Sequence, residues 1–264
     1  MKVHSLYIYP VKSLAGIEVS SFEMDDFGPK GDRRWMIVDS DRHFVTQRAL
    51  PELARVTTSL ADRVVSVHVP GEGDFTLQAT DQELRVLVWR DWVKALKAEP
   101  AVSEALSRFC GKELQVVYMP DSSFRRVDVG RVTEYRRVGF ADGFPLLITS
   151  LASLNELNLR LNAPVAMRRF RPNIVIEGAP AWQEDNWRKL NLGDQSFGIV
   201  KPCSRCVVTT VDPDTGIKDS GLQPLRMLSS YRRTSEGVIF GQNAIHETPG
   251  VIHVDDPATV IELE

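Results

Sequence analysis

Cysteine is scarce in this sequence, with three among 264 residues (Cys110, Cys203 and Cys206). The number is too small and too odd for a disulfide framework. Each cysteine therefore reads as a free thiol, a metal ligand or a core residue in a reducing cytoplasm. Long apolar runs are missing too: none reaches the roughly 18–20 residues that a membrane span needs. The opening stretch Met1–Pro10 has neither an extended apolar run nor a small-residue cleavage site. No secretory signal or membrane anchor is expected, and the expected location is cytoplasmic. Neither sign of charge dominates, because 32 Lys+Arg stand against 35 Asp+Glu for a net charge of −3. A nucleic-acid protein working by bulk positive charge is not expected. No glycine-rich phosphate loop and no dinucleotide fingerprint occurs.

What is present is the composition of a folded protein, 43% hydrophobic and 25% charged, which excludes intrinsic disorder. Short β-branched runs broken by turn residues dominate: Val3–Tyr9, Arg34–Val38, His43–Thr46, Val64–Val69, Leu84–Trp89 and Glu113–Met119. Such spacing suggests barrels or sandwiches rather than a doubly wound sheet. Two helices are expected. Pro100–Cys110 has a Pro in its first turn, Gly111 just past its end, and an apolar stripe that includes Cys110. Leu151–Leu161 carries Leu151, Leu154, Leu157 and Leu161 on one face, with Ser150 as its N-cap. The polar stretch Asp121–Arg126 reads as flexible, and a domain boundary is placed there, giving 1–122 and 123–264.

The sharpest local signal is Lys201-Pro202-Cys203-Ser204-Arg205-Cys206. A Cys-x-x-Cys pair has several readings. A structural zinc site needs two more ligands, and only Cys110 and five scattered His remain. A thioredoxin-type pair should open a helix, whereas the residues after Cys206 read as strand. A third reading is a single special thiolate, Cys206, favoured by the neighbouring Arg205 and suited to a soft or high-valent metal. A plain pair of packed cysteines is the fourth. The following Asp212-Pro213-Asp214-Thr215-Gly216 lacks the glycine position and bidentate Glu of a calcium loop, and reads as a turn. Separately, Thr149 and Ser150 at a helix start, Lys12 and Ser13 after the first strand, Arg33, Arg34, Arg168, Arg169 and Arg171 form a set suited to an anion.

Taken in order, seven segments resemble one family. They are Tyr9-Pro10-Val11-Lys12-Ser13, Asp32-Arg33-Arg34-Trp35, Asp142–Ile148, Phe170-Arg171-Pro172-Asn173-Ile174, Trp182–Trp187, the Cys-Ser-Arg-Cys segment with its Thr209–Gly216 tail, and Phe240-Gly241-Gln242-Asn243. Over almost its whole length the chain resembles MOSC-domain proteins with a MOSC amino-terminal β-barrel domain. That group includes the mitochondrial amidoxime-reducing component and its bacterial counterparts. The resemblance implies a mainly β fold with a few helices, a β-barrel-like N-terminal domain packed on a MOSC β-barrel. It implies a molybdenum cofactor, molybdenum on molybdopterin, held between the two.

By the same resemblance Cys206 takes the position of the protein ligand to molybdenum, and Cys203 has no such role. Lys12, Ser13, Arg33, Asp142, Ser150, Arg171, Asn173, Ser204, Arg205 and Asn243 fall where cofactor contacts are expected. The implied activity is reduction of N-hydroxylated compounds to amines; the alternative is a non-catalytic cofactor carrier or a sulfur-transfer-related MOSC protein. Three cysteines cannot hold a four-thiolate iron–sulfur cluster. A separate electron-donor protein, of flavin reductase or ferredoxin/cytochrome type, is therefore expected beside the small-molecule substrate.

Overall fold

Alternation of apolar residues makes the first segment a strand, Lys2–Ile8, with Val3, Leu6 and Ile8 buried. The computed structural model describes residues 1–61 and 64–263, and the architecture is mainly β. The largest sheet has nine strands. Its path runs Ala258–Leu263, Trp187–Leu192, Gln195–Ser204, Gly237–His246, Leu146–Ser150, Ile174–Glu177, Lys2–Ile8 and Ile17–Val19, with Arg233–Thr234 paired to Gly237–His246. Neighbours on the path are antiparallel except Leu146–Ser150 with Ile174–Glu177, which are parallel. That pair needs a crossover, and the helix Leu151–Arg160 makes it. The first strand thus belongs to the sheet built by the second half of the chain.

The described sheets do not close into complete barrels. The first strand meets the segment leading into Ala258–Leu263 through the isolated bridge Lys2 opposite Pro257 and through backbone hydrogen bonds from Val3 N to Asp256 O, Asp255 N to Val3 O and Ala258 N to Met1 O, each 2.9 Å. Inside the large sheet Leu6, Ile148, Ile174, Leu190 and Phe197 form one core. A four-stranded sheet (Trp35–Val38, Gln115–Tyr118, Asp91–Ala98, Ala79–Val88) and a three-stranded one (Thr57–Ala61, Val64–Val69, Gly73–Thr76) lie in the first half, and a second three-stranded sheet pairs Ser21–Asp25 with Gly28–Pro29 and with Val251–His253 of the second half. The helix Pro100–Cys110 packs there, ended by Gly111 in the left-handed region at φ 60°. Cys110 packs against this core as its helical stripe predicts, and burial pushes its thiol up to about 12.

Three local expectations are corrected. His43–Thr46 is not a strand; it makes only the isolated bridges Phe44–Val38 and His43–Leu87. Val207–Thr210 is a 3₁₀ turn rather than a strand. Hydroxyls close it, Thr209 Oγ1 donating to Cys206 O at 3.0 Å and Thr210 Oγ1 to Val207 O at 2.7 Å. The stretch 121–126 contains anchored side chains: Ser123 and Arg125 are buried, and Ser123 Oγ donates to Lys94 O at 2.6 Å. A third helix, Leu225–Tyr231, and the turn Gln183–Asn186 complete the second half.

Glu184 lies on that turn, fully buried, and burial pushes its carboxyl up from its ordinary 4.5 to about 7. A raised carboxyl contributes stability that is present below its unfolded value and lost as pH rises toward the folded one. Wild-type protein should therefore lose up to about 3 kcal/mol of stability between pH 4.5 and pH 7 through this group. Glu184→Gln should flatten that slope in urea melts taken across the interval; an unchanged slope would assign the effect elsewhere.

Candidate functional site

One end of the large sheet gathers segments that are remote in sequence. Lys12 and Ser13 leave the first strand. Arg33 precedes Trp35–Val38, Asp142 precedes Leu146–Ser150, and Arg171 and Asn173 precede Ile174–Glu177. Ser204 ends Gln195–Ser204, with Arg205 and Cys206 just beyond it. Asn243 sits on Gly237–His246, opposite Lys201. These residues line one cavity of about 360 Å³, within the range of small-molecule sites.

Its inner wall is a buried clasp around Asp32. One carboxylate oxygen accepts Tyr9 N at 2.8 Å and Asn173 Nδ2 at 3.2 Å; the other accepts Arg33 Nη1 at 2.6 Å. The same Nη1 donates to Asn173 Oδ1 at 3.1 Å, and Arg33 Nη2 donates to Arg171 O at 3.2 Å. Asn173 also accepts Leu147 N at 3.2 Å and donates to Tyr7 O at 3.2 Å. Its amide is thus committed to the protein on all sides, and it positions Arg33 rather than offering a free edge. Arg33 and Arg171 each place a guanidinium 4.3 Å from the Tyr9 ring centroid.

Backbone strain is concentrated in this wall. Ser13, Arg33 and Arg171 have φ of 75°, 46° and 55°, in the left-handed region that side-chain-bearing residues avoid at a cost of about 1–2 kcal/mol each. Fixed partners hold them there. Gln47 Nε2 donates to Ser13 O at 2.6 Å, Phe140 N to Arg33 O at 2.8 Å, and Arg171 Nη1 to Leu14 O at 2.7 Å.

The cavity is rich in cations: Lys12, Arg33, Arg48, Arg171 and Arg205 line it, against Asp142 as the lining carboxylate. Burial, with the fields of Arg125 and Arg33, brings the Lys12 ammonium down to about 8. Burial and Arg33 bring Arg171 down to about 10. Lys12 Nζ donates to Asp142 Oδ1 at 2.5 Å. Lys12, Arg48 and the Trp89 indole N–H hold the carboxyl of exposed Asp142 well below the usual range. The pair is ionised at neutral pH. Arg125, itself buried, sets this loop by donating to Gly139 O at 3.0 Å, Ala141 O at 2.5 Å and Asp142 O at 3.0 Å.

The two cysteines differ in company. The Arg205 guanidinium reaches Cys203, with Nη1 2.9 Å from its Sγ, and Nη2 donates to Phe170 O at 2.6 Å. It does not serve Cys206 in the way that adjacency in sequence suggests. Cys206 lines the cavity as the residue that opens the turn Val207–Thr210. Asp212 accepts the backbone N–H groups of Asp214 and Thr215, so its segment is the turn expected. Among the described residues no three His, Cys, Asp or Glu side chains converge to hold a metal ion.

Two family patterns match the chain: the MOSC N-terminal beta barrel domain over residues 1–113 and the MOSC domain over residues 135–259. The chain belongs to the MOSC family. It is 34% identical to rat "Mitochondrial amidoxime reducing component 2", over 97% of this chain and 82% of that one. It is 33% identical to mouse "Mitochondrial amidoxime-reducing component 1", over 98% and 82% respectively. It is also 30% identical to a rice "Molybdenum cofactor sulfurase", covering 90% of this chain but 31% of that longer protein.

Of the eleven residues that the family resemblance singles out, ten line the cavity: Lys12, Ser13, Arg33, Asp142, Arg171, Asn173, Ser204, Arg205, Cys206 and Asn243; Arg34, Thr149, Arg168 and Arg169 of the anion set do not. Ser150 is not brought there. Leu146 and Leu147 at the start of its strand line the cavity, and Ser150 lies about 10 Å further along at ~3.3 Å per residue. It is fully buried, and the helix it precedes starts at that far end of the strand, not at the cavity. The sequence gives no role to Gln47, Arg48, Trp89 or Arg125, which sit in loops without a motif. Only the excess of buried arginine would have pointed to Arg125.

The Tyr9 ring depends on one small neighbour. A Cβ on Gly16 would stand 2.3 Å from Tyr9 Cε1, a contact the buried ring relieves only by moving. Gly16→Ala should destabilise the fold by about 1–3 kcal/mol in denaturant melts. It should also lower affinity for a phosphate-bearing ligand, since both guanidinium groups rest on that ring. Unchanged stability and binding would show that the ring does not set their positions.

Proposed function

We propose that this protein is a molybdenum-cofactor-dependent reductase of N-hydroxylated compounds such as hydroxylamines, amidoximes and N-hydroxylated bases. The observation that carries the reading is the soft thiol of Cys206, beside Cys203, in a cavity with five cationic side chains, in a chain related to amidoxime-reducing components. The residues fit an anionic dithiolene cofactor. A terminal phosphate would offset the burial and the neighbouring cations that bring Lys12 and Arg171 down, and a thiolate suits a soft, high-valent metal.

Cys206 would hold the metal. Lys12, Arg33, Arg171 and Arg205 would neutralise the anionic end, with the hydroxyls of Ser13 and Ser204 beside them. Asn243 donates from Nδ2 to Pro202 O at 3.4 Å and keeps its Oδ1 available to a ring N–H. Asp32 and Asn173 hold Arg33 in place, and Arg125 holds the Asp142 loop. When bound, the molybdenum centre supplies two-electron reduction of N–OH to N–H, with two protons taken up and water released. The electrons come from a separate protein of flavin reductase or ferredoxin/cytochrome type, a reading supported by the three cysteines. No helix among the described residues is long and apolar enough to cross a membrane.

The relationship to a cofactor sulfurase keeps a carrier without turnover as the second reading. Protein produced in a cofactor-competent host should contain molybdenum and reduce benzamidoxime with dithionite-reduced dye as donor. Cys206→Ser should fold normally and lose at least about a hundredfold in turnover. Molybdenum without turnover in the wild type selects the carrier; turnover at the wild-type rate in Cys206→Ser would remove the cysteine from the site.

A further inference from the structure

Apart from its N–H toward Asp142, Trp89 has no part in the roles assigned above, yet it lines the same cavity. It occupies the first loop position of the two-residue hairpin between Ala79–Val88 and Asp91–Ala98, where Val88 pairs with Asp91. Its φ is 58°. The favoured two-residue hairpin turns need a positive φ there and ordinarily use Gly, Asn or Asp. A bulky residue at such a position is a genuine outlier.

The indole is 45% exposed but is not free to swing. Its Nε1–H donates to Asp142 Oδ1 at 3.3 Å. Its ring lies 5.0 Å from Phe44 at a tilt of 52°, and the Arg48 guanidinium stands 4.9 Å from a Trp89 ring centroid. Asp142 in turn is held by Lys12 at 2.5 Å and Arg48 at 3.7 Å. The polar groups at this lip are therefore engaged with one another, and the aromatic surface is what remains to offer. An oriented, accessible indole presents dispersion and a negative quadrupole face, which favour a flat unsaturated group over a saturated one.

We infer that Trp89 determines specificity at this site by stacking against the planar, unsaturated body of the N-hydroxylated substrate, so that aryl amidoximes are preferred to saturated-ring ones. The inference rests on the reductase reading above. Strain accepted at a turn, a pinned polar edge and an accessible ring are together what such a platform requires.

The test compares benzamidoxime with cyclohexanecarboxamidoxime, which share the reacting group and differ in the ring. In the molybdenum-loaded protein, Trp89→Gly should raise KM for benzamidoxime about three- to tenfold. Its kcat should stay within about twofold, and the saturated substrate should be little affected. The melting temperature should hold or rise, because glycine accepts the positive φ. Trp89→Phe should retain most of the preference. A uniform rise in both KM values, or a fall in melting temperature with loss of both activities, would overturn the inference and leave a structural role. Benzamidoxime should also quench tryptophan fluorescence in the wild type but not in Trp89→Phe. If the wild type reduces neither substrate, the reductase reading fails; quenching then reports separately on the platform, and its absence overturns it.

Discussion

The buried carboxylate of Asp32 is the constraint on which this site depends. It receives a backbone N–H from Tyr9, an amide N–H from Asn173 and a guanidinium N–H from Arg33, and so joins segments separated by 141 residues. A buried ion pair in isolation seldom stabilises a fold, because desolvation offsets the attraction. Here the remaining valences are met by backbone and amide partners, and the gain is geometric. The clasp fixes where Arg33 points, and through Arg33 it fixes the Arg171 carbonyl. Both guanidinium groups then rest on the Tyr9 ring.

The arrangement works against the fold's own stability. Five cationic side chains share a cavity, three residues hold left-handed backbone, and buried Lys12 is brought toward neutrality. Such concentrations of strain and like charge are characteristic of functional sites. An anionic ligand would resolve the repulsion. The surrounding core, with Leu6, Ile148 and Phe197 fully buried, makes the strain tolerable.

Much of this was legible in the sequence where local physics decides the outcome. Pro100 and Gly111 mark the helix bounds, alternation marks Val64–Val69, and Cys-Ser-Arg-Cys marks the site. Outside that segment the candidate site residues were legible only as motifs taken in order, because none of them has a local signature. Where side chains act at long range, the reading departs from the structure. Arg205 serves Cys203 instead of its chain neighbour, and Thr209 and Thr210 fold a β-branched run into a turn. Ser150 has the right residue type for a helix cap beside an anion, but its strand carries it to the wrong end. Trp89 runs against the preference of its own turn, so no propensity could announce it.

The interleaving of the first strand has a consequence for how the protein is made. Lys2–Ile8 has its sheet partner at Ile174–Glu177, and Met1 O accepts from Ala258 N at 2.9 Å. During translation the N-terminal strand and its neighbour Ile17–Val19 therefore emerge long before Ile174–Glu177 exists. At about 5–20 residues per second they wait roughly ten to thirty seconds for the parallel crossover to be synthesised. Contacts this distant also slow folding after release, since the chain must close its largest loop to form them. The cation-lined cavity comes into being only with the last third of the polypeptide.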